Sequence, residues 1–254
     1  MKKRGLWDTV REEISEAVFP SNIYCIKCGS LIDRTRLYSL CDSCMKTLHW
    51  IGPHTCEKCG KALPDTYKGR LCYDCMMFGH YFSRGFSCLT YGLHERGLIL
   101  DYKYNGRGYL GGKFGDILYD RIACEDISAD VIIPVPVGRK RLAKRGYNQA
   151  ALMAARLSER WGVPMDEDVL FRQKETPLLR SLSPAQRQDA LYDAFSVRDA
   201  KKPELKGKCI LLVDDIYTTG ATVDACSRTL IENGAGDVFV LTLASGGNRK
   251  PNIE

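Results

Sequence analysis

Eight cysteines in one short stretch constrain the fold of this chain more than any other feature. Cys25-x2-Cys28 is followed after twelve residues by Cys41-x2-Cys44, and Cys56-x2-Cys59 is followed after twelve residues by Cys72-x2-Cys75. The two blocks repeat with an offset of 31 residues. Gly29 and Gly60 follow the second cysteine of each block, where a knuckle turn needs positive φ. Four thiolates in paired C-x2-C knuckles suit tetrahedral Zn2+ and leave no open coordination position, so two structural ions are expected. Spacing leaves two pairings open: one ion per quartet, or a cross-braced arrangement in which the first and third knuckles share an ion. Disulfides fit poorly, because four further cysteines, Cys88, Cys124, Cys209 and Cys226, are scattered through apolar or helical patterns that read as buried core. His49, His54 and His80 flank the knuckles and read as surface residues, since both sulfur quartets are complete without them.

The second constraint is the stretch from Lys208 to Glu232. An apolar run, Ile210 to Val213, reads as a buried parallel strand. Asp214 and Asp215 stand at its C-terminal end, and the loop Thr218-Thr219-Gly220-Ala221-Thr222 leads into a helical pattern from Val223 to Glu232. Unpaired N–H groups and the dipole of a helix N-terminus attract an anion, and Gly220 and Ala221 let it approach the backbone. Two carboxylates would repel a phosphate at contact but accept hydrogen bonds from sugar hydroxyls. A ribose 5-phosphate has both ends.

The segment Ile210 to Thr222 resembles, over thirteen consecutive residues, the phosphoribosyl pyrophosphate motif of type I phosphoribosyltransferases. The resemblance implies that Asp214 and Asp215 hold the ribose hydroxyls and that Thr218, Thr219, Gly220, Ala221 and Thr222 hold the 5-phosphate.

From Gly85 onward strands alternate with helices, which predicts a mainly parallel sheet with ligands at the carboxyl ends of its strands. Strands are expected at Phe86–Tyr91, Ala129–Pro136, Lys208–Asp215 and Asp237–Ala244, and helices at Glu95–Tyr104, Gly111–Ala123 and Asn148–Trp161. Two basic clusters fall where strand ends converge. Lys103, in Asp101-Tyr-Lys-Tyr-Asn-Gly106, is either a point charge suited to pyrophosphate or part of a solvated helix end. Five of the seven residues from Arg139 to Arg145 are basic; a solvated helix face is the ordinary explanation, but this turn lies between a strand end and the helix from Asn148, where it suits either pyrophosphate or a nucleic-acid backbone.

Together these stretches resemble the ComF family of bacterial competence proteins, which joins a cysteine-rich zinc module to a type I phosphoribosyltransferase domain. The resemblance also covers Phe19-Pro20, Lys144-Arg-Gly-Tyr-Asn-Gln149 and Thr176 to Arg187. The family's glutamine near Leu179 and asparagine near Ala190 are absent, while Arg187 is retained. It implies an α/β type I phosphoribosyltransferase-like sheet flanked by helices and preceded by a small zinc-ribbon module. The expected organisation is an N-terminal amphipathic helix within 1–20, a double zinc ribbon over 21–84 and the phosphoribosyltransferase-like domain over 85–254.

The functional expectation is a phosphoribosyl pyrophosphate-binding protein acting in DNA uptake during natural transformation, alongside a helicase-like ATPase. If the site turns over, Lys103, Arg145 and Mg2+ would serve the leaving pyrophosphate. Arg139, Lys140, Arg141 and Lys144 are the candidates for single-stranded DNA. Two alternatives share the motif: a non-catalytic module binding ligand and single-stranded DNA, and a nucleobase salvage phosphoribosyltransferase. The net charge of +6 permits nucleic-acid binding without requiring it. No apolar run reaches the length of a membrane span, and the charged N-terminus lacks a signal-peptide core, so a cytoplasmic protein is expected.

Overall fold

The computed structural model describes residues 22–174 and 190–247. The chain divides into two compact units, Met1–Leu48 and His49–Glu254. The helix expected within 1–20, Phe19-Pro20 and the Thr176–Arg187 stretch lie outside the described residues.

The first unit holds the first cysteine block. Its knuckle closes when Gly29 N–H donates to the Cys25 carbonyl at 2.9 Å and Cys25 N–H donates to the Ser30 carbonyl at 2.8 Å. Gly29 takes φ +75° there. Helix α1, Asp42–Thr47, starts at Cys41, whose sulfur accepts the Cys44 N–H as an N-cap.

The second unit opens with the same construction. Gly60 N–H donates to the Cys56 carbonyl at 2.8 Å, Cys56 N–H donates to the Lys61 carbonyl at 2.8 Å, and α2, Tyr73–Met77, follows Cys72. This knuckle lies against the first strand, β1, Arg84–Thr90. Gly85 N–H donates to the Lys58 carbonyl at 2.7 Å, and a Cβ on Gly60 would overlap the Gly85 carbonyl. Glycine is therefore needed at position 60 for close approach as well as for its φ of +72°.

After β1 come α3 (Leu93–Tyr104), α4 (Leu110–Ile122), β2 (Val131–Pro134), α5 (Arg139–Arg145) and α6 (Gln149–Trp161). Strands β3 (Leu170–Arg172) and β4 (Phe195–Val197) pair antiparallel. The short α7 (Lys202–Leu205) leads to β5 (Cys209–Tyr217), α8 (Ala221–Glu232) and β6 (Asp237–Ser245). Among the described residues β1, β6, β5 and β2 form, in that order, a wholly parallel sheet.

Ile210, Leu211, Leu212 and Val213 are all 0% exposed, as a strand covered on both faces requires. Helices α4 and α6 pack on each other and on β1, β2 and β5. Ile210, Leu212, Val238 and Val240 share a second core with Val223, Cys226 and Leu230 of α8, with Phe195 of the β3–β4 pair, and with Cys56, Cys59, Cys72 and Phe82. The second cysteine block is thus part of the sheet unit's core. No helix among the described residues is long and apolar enough to cross a membrane.

Several sequence expectations need correction. The basic stretch read as a turn forms the helix α5, because Leu142 and Ala143 interrupt the charges and Gly146 terminates it at φ +80°. Cys88 and Cys226 are buried as expected, but Cys124 is exposed and Cys209 only half-buried. His80 is not a surface residue: its side chain is 3% exposed and stacks on Phe82 at 4.8 Å.

Candidate functional site

The eight cysteines form two clusters, Cys25/Cys28/Cys41/Cys44 and Cys56/Cys59/Cys72/Cys75, each with its sulfurs within 4.8 Å of one another. The pairing left open by spacing is therefore sequential, one quartet per block. The Sγ atoms of Cys28 and Cys41 are 3.7 Å apart and those of Cys59 and Cys72 are 3.6 Å apart. A tetrahedral zinc thiolate site has an edge of about 3.8 Å at Zn–S of about 2.3 Å, so both quartets fit Zn2+. Backbone N–H groups support them: Cys41 N–H points to the Cys25 sulfur at 3.4 Å and Cys72 N–H to the Cys56 sulfur at 3.2 Å. At Cys28 the hydroxyl of Ser30, followed by its backbone N–H, draws the thiol down to about 6, which readies it as a thiolate ligand.

The acid pair and its loop lie at the carboxyl end of β5. The strand runs two residues past the predicted end, to Tyr217, and Asp214 and Asp215 sit within it, half-buried. Asp215 N–H donates to Asp214 Oδ1 at 2.8 Å. Burial, then the neighbouring Asp215 carboxylate, pushes the Asp214 carboxyl up to about 7. Thr218 to Gly220 then turn into α8. Gly220 is its N-cap residue, in the left-handed region at φ +84°. A Cβ there would meet the Tyr217 ring, 2.7 Å from Cζ, so the loop closes only with glycine. A recess of about 30 Å3 lies beside it, lined by Asp214 and Tyr217 to Val223. The hydroxyls of Tyr217 and Thr219 are buried here without a hydrogen-bond partner among the described residues. Buried orphan donors at the start of a twelve-residue helix are what an anion would satisfy.

A larger cavity of about 230 Å3 adjoins the loop. Asp214, Asp215, Thr218 and Thr222 line one side, and Lys103, Arg141, Arg145 and Arg172 also line it. Lys103, at the end of α3, forms an ion pair with Asp215 at 2.8 Å, so the predicted helix-end lysine stands against the predicted ribose acids. Helical spacing puts Arg141 and Arg145 on one face of α5, toward the cavity, while Arg139, Lys140 and Lys144 are exposed. The four residues expected to meet nucleic acid are therefore divided between two surroundings. Arg145 Nη1 donates to Gln149 Oε1 at 2.7 Å, and its guanidinium lies 4.8 Å from the centre of the Tyr104 ring. Asn148 caps α6 by accepting the Ala150 N–H at 3.1 Å and donates to the Val135 carbonyl at 3.1 Å.

Sequence reasoning missed Arg172 and Gln149. Arg172 ends the three-residue strand β3, too short for a periodic signal. Gln149 is 2% exposed with its Nε2 unpartnered among the described residues, and it had been read only as part of a motif.

Residues 14–76 match a family described as a double zinc ribbon domain. The chain is 32% identical over 154 residues to Competence protein F of Haemophilus influenzae, covering 58% of this chain and 66% of that protein. It is 32% identical over 117 residues to Competence protein ComFC of Bacillus subtilis, covering 44% and 43%, and 33% identical over 114 residues to the DNA utilization protein YhgH of Escherichia coli O157:H7, covering 45% and 48%. The chain thus spans between two fifths and two thirds of the length of these curated relatives. Among solved structures, a purine phosphoribosyltransferase from Pyrococcus horikoshii overlaps 54% of this chain and 75% of its own, at 20% identity and a TM-score of 0.35. A glutamine phosphoribosylpyrophosphate amidotransferase from Bacillus subtilis overlaps 52% and 25%, at 21% identity and a TM-score of 0.36. The expected resemblance to ComF-type competence proteins is borne out by the relatives together with the two cysteine quartets.

Proposed function

We propose that this chain, similar to the ComF-type competence proteins, holds a phosphoribosyl pyrophosphate-like ligand at the carboxyl end of β5 and acts in the handling of DNA during natural transformation. One observation carries the ligand reading. The acid pair Asp214–Asp215 stands between an anion-ready loop with orphaned buried hydroxyls and a cavity bearing Lys103, Arg141 and Arg145. A ligand that satisfies all three has a phosphate, a diol and a second anionic group in that order.

In this reading the loop Thr218–Thr222 takes the 5-phosphate, and Asp214 and Asp215 accept from the ribose hydroxyls. Lys103 neutralises Asp215 in the free protein and turns to the pyrophosphate when the ribose arrives. Arg145, held by Gln149 and Tyr104, is fixed toward the same oxygens. The carboxylates among the cavity-lining residues are oxygen donors suited to Mg2+, which when bound would offset pyrophosphate charge. If the site turns over, a nucleophile forms a bond to ribose C1 as the C1–O bond breaks, and the electron pair leaves with pyrophosphate. The transition state has oxocarbenium character, as in glycoside cleavage. A cytoplasmic location belongs to the same proposal, since both thiolate quartets stay reduced there.

The test is incubation with phosphoribosyl pyrophosphate, Mg2+ and a panel of nucleobases. Pyrophosphate release with one base identifies a salvage transferase. Binding without release supports the module reading, and absence of both removes the ligand assignment.

A second reading concerns the outer face of α5. Arg139, Lys140 and Lys144 are exposed there beside the cavity mouth, a basic strip suited to a single-stranded DNA backbone. Neutralising these three should weaken single-strand binding and flatten its salt dependence. Unchanged affinity would exclude the strip. A helicase-like ATPase partner belongs to the same proposal by way of the competence relatives.

A further inference from the structure

The two ribbons share their backbone hydrogen bonds yet differ at the residue after the knuckle glycine. The first block has Ser30 there, exposed, and the second has Lys61, 1% exposed. A buried ammonium is costly unless it is paired. Lys61 Nζ meets Asp74 Oδ2 at 2.6 Å. Asp74 also belongs to the second block alone, since Ser43 stands at the matching place in the first. The same ammonium lies 5.4 Å from the centre of the Tyr217 ring.

Tyr217 is the last residue of β5 and the one immediately before the phosphate loop. It is 2% exposed, with Phe82 edge-on at 6.2 Å. Its ring and hydroxyl fill the space where a side chain on Gly220 would be. One aromatic ring therefore spans the distance from a lysine of the second ribbon to the glycine that shapes the loop. A second link runs parallel to it. Tyr81 N–H, just beyond the ribbon, donates to Asp224 Oδ1 in the first turn of α8 at 2.7 Å.

We infer that Lys61 is a positioning residue for the phosphate loop: its ammonium holds the Tyr217 ring against Gly220, so the second zinc ribbon sets the conformation that a phosphate meets. The inference rests on the phosphoribosyl reading for its ligand, but the loop itself can be observed without one. A cation over a ring in a desolvated site is worth on the order of tenfold in an equilibrium. Losing it frees the ring to move, and with it Gly220 and the first turn of α8, whose Asp224 N–H bonds to the Gly220 carbonyl at 2.8 Å.

The experiment uses the full chain as Lys61→Met and Lys61→Arg variants, with zinc quantified, amide hydrogen exchange followed in the ligand-free protein, and phosphoribosyl pyrophosphate titrated with Mg2+. Lys61→Met should keep both zinc sites filled and leave β6 protected. Exchange in the segment 218–226 should quicken by about tenfold and the ligand should bind about tenfold more weakly. Lys61→Arg, which keeps the cation, should restore both. Unchanged exchange at 218–226 in Lys61→Met overturns the inference. Faster exchange in a protein whose wild type binds no phosphoribosyl pyrophosphate leaves Lys61 as a positioning residue and removes the phosphoribosyl reading instead. If Lys61→Met loses zinc, Tyr217→Leu at full zinc content takes its place: quickened exchange supports the inference and unchanged exchange overturns it.

Discussion

Asp214 lines both the recess at the start of α8 and the larger cavity, and its carboxyl is raised to about 7 by burial and then by Asp215. The folded protein keeps a proton there that the unfolded chain releases near pH 4. Folding stability therefore falls as pH rises from about 4 to about 7, by at most about 1.4 kcal/mol per pH unit, and levels off above. Asp214→Asn has no such proton to lose. Denaturation midpoints at pH 5 and pH 8 should converge in this variant relative to wild type, with the variant the more stable at pH 8. An identical pH slope in the two proteins would contradict the assignment. Asp214, Asp215 and the Thr218–Thr222 loop were legible in the sequence because their chemistry is contiguous along the chain. Arg172 was not, since only the tertiary fold brings the end of a three-residue strand to the cavity. His80 was misread for a related reason: its burial depends on Phe82 and α8, which spacing around the cysteines does not reveal.

At the scale of elements, the cysteine repeat announced two ribbons but not their different settings. Spacing left the pairing of the thiolates open until the folded turns grouped them one quartet per block, and Lys61, Asp74 and Phe82 carry no pattern that marks the second ribbon as part of a sheet core. Three of its cysteines, Cys56, Cys59 and Cys72, are at most 1% exposed within that core. Zinc binding at this quartet is therefore coupled to the packing of β5, β6 and α8. Cys59→Ser should lower bound zinc from two ions to one per chain and destabilise the sheet unit by several kcal/mol, read as a lower unfolding midpoint for β6 amide protection. An unshifted midpoint with one zinc lost would show that the quartet is not part of the core. The sheet's strands and long helices were legible, because short apolar runs alternating with amphipathic stretches bury their faces in a parallel sheet covered by helices. Helix α5 was not, because charge dominates its seven residues and hides the short apolar pair Leu142–Ala143.

Across the second unit, four parallel strands bring Lys103, the α5 arginines, Asp214–Asp215 and the α8 N-terminus to one side of the sheet, around one cavity. Residues more than a hundred positions apart are joined there, as Lys103 and Asp215 are by their ion pair. The proposed phosphoribosyl ligand rests on what lines that cavity: the acid pair Asp214–Asp215 between the hydroxyls of Thr218 and Thr222 and the cations Lys103, Arg141 and Arg145. The most direct measurement is a calorimetric titration of phosphoribosyl pyrophosphate with Mg2+ into the wild-type chain and into Asp214→Asn/Asp215→Asn at matched zinc content. Saturable one-to-one binding in the wild type and none in the double variant is the expected result. Equal affinity in the two proteins, or no binding to the wild type with its zinc sites filled, would contradict the assignment.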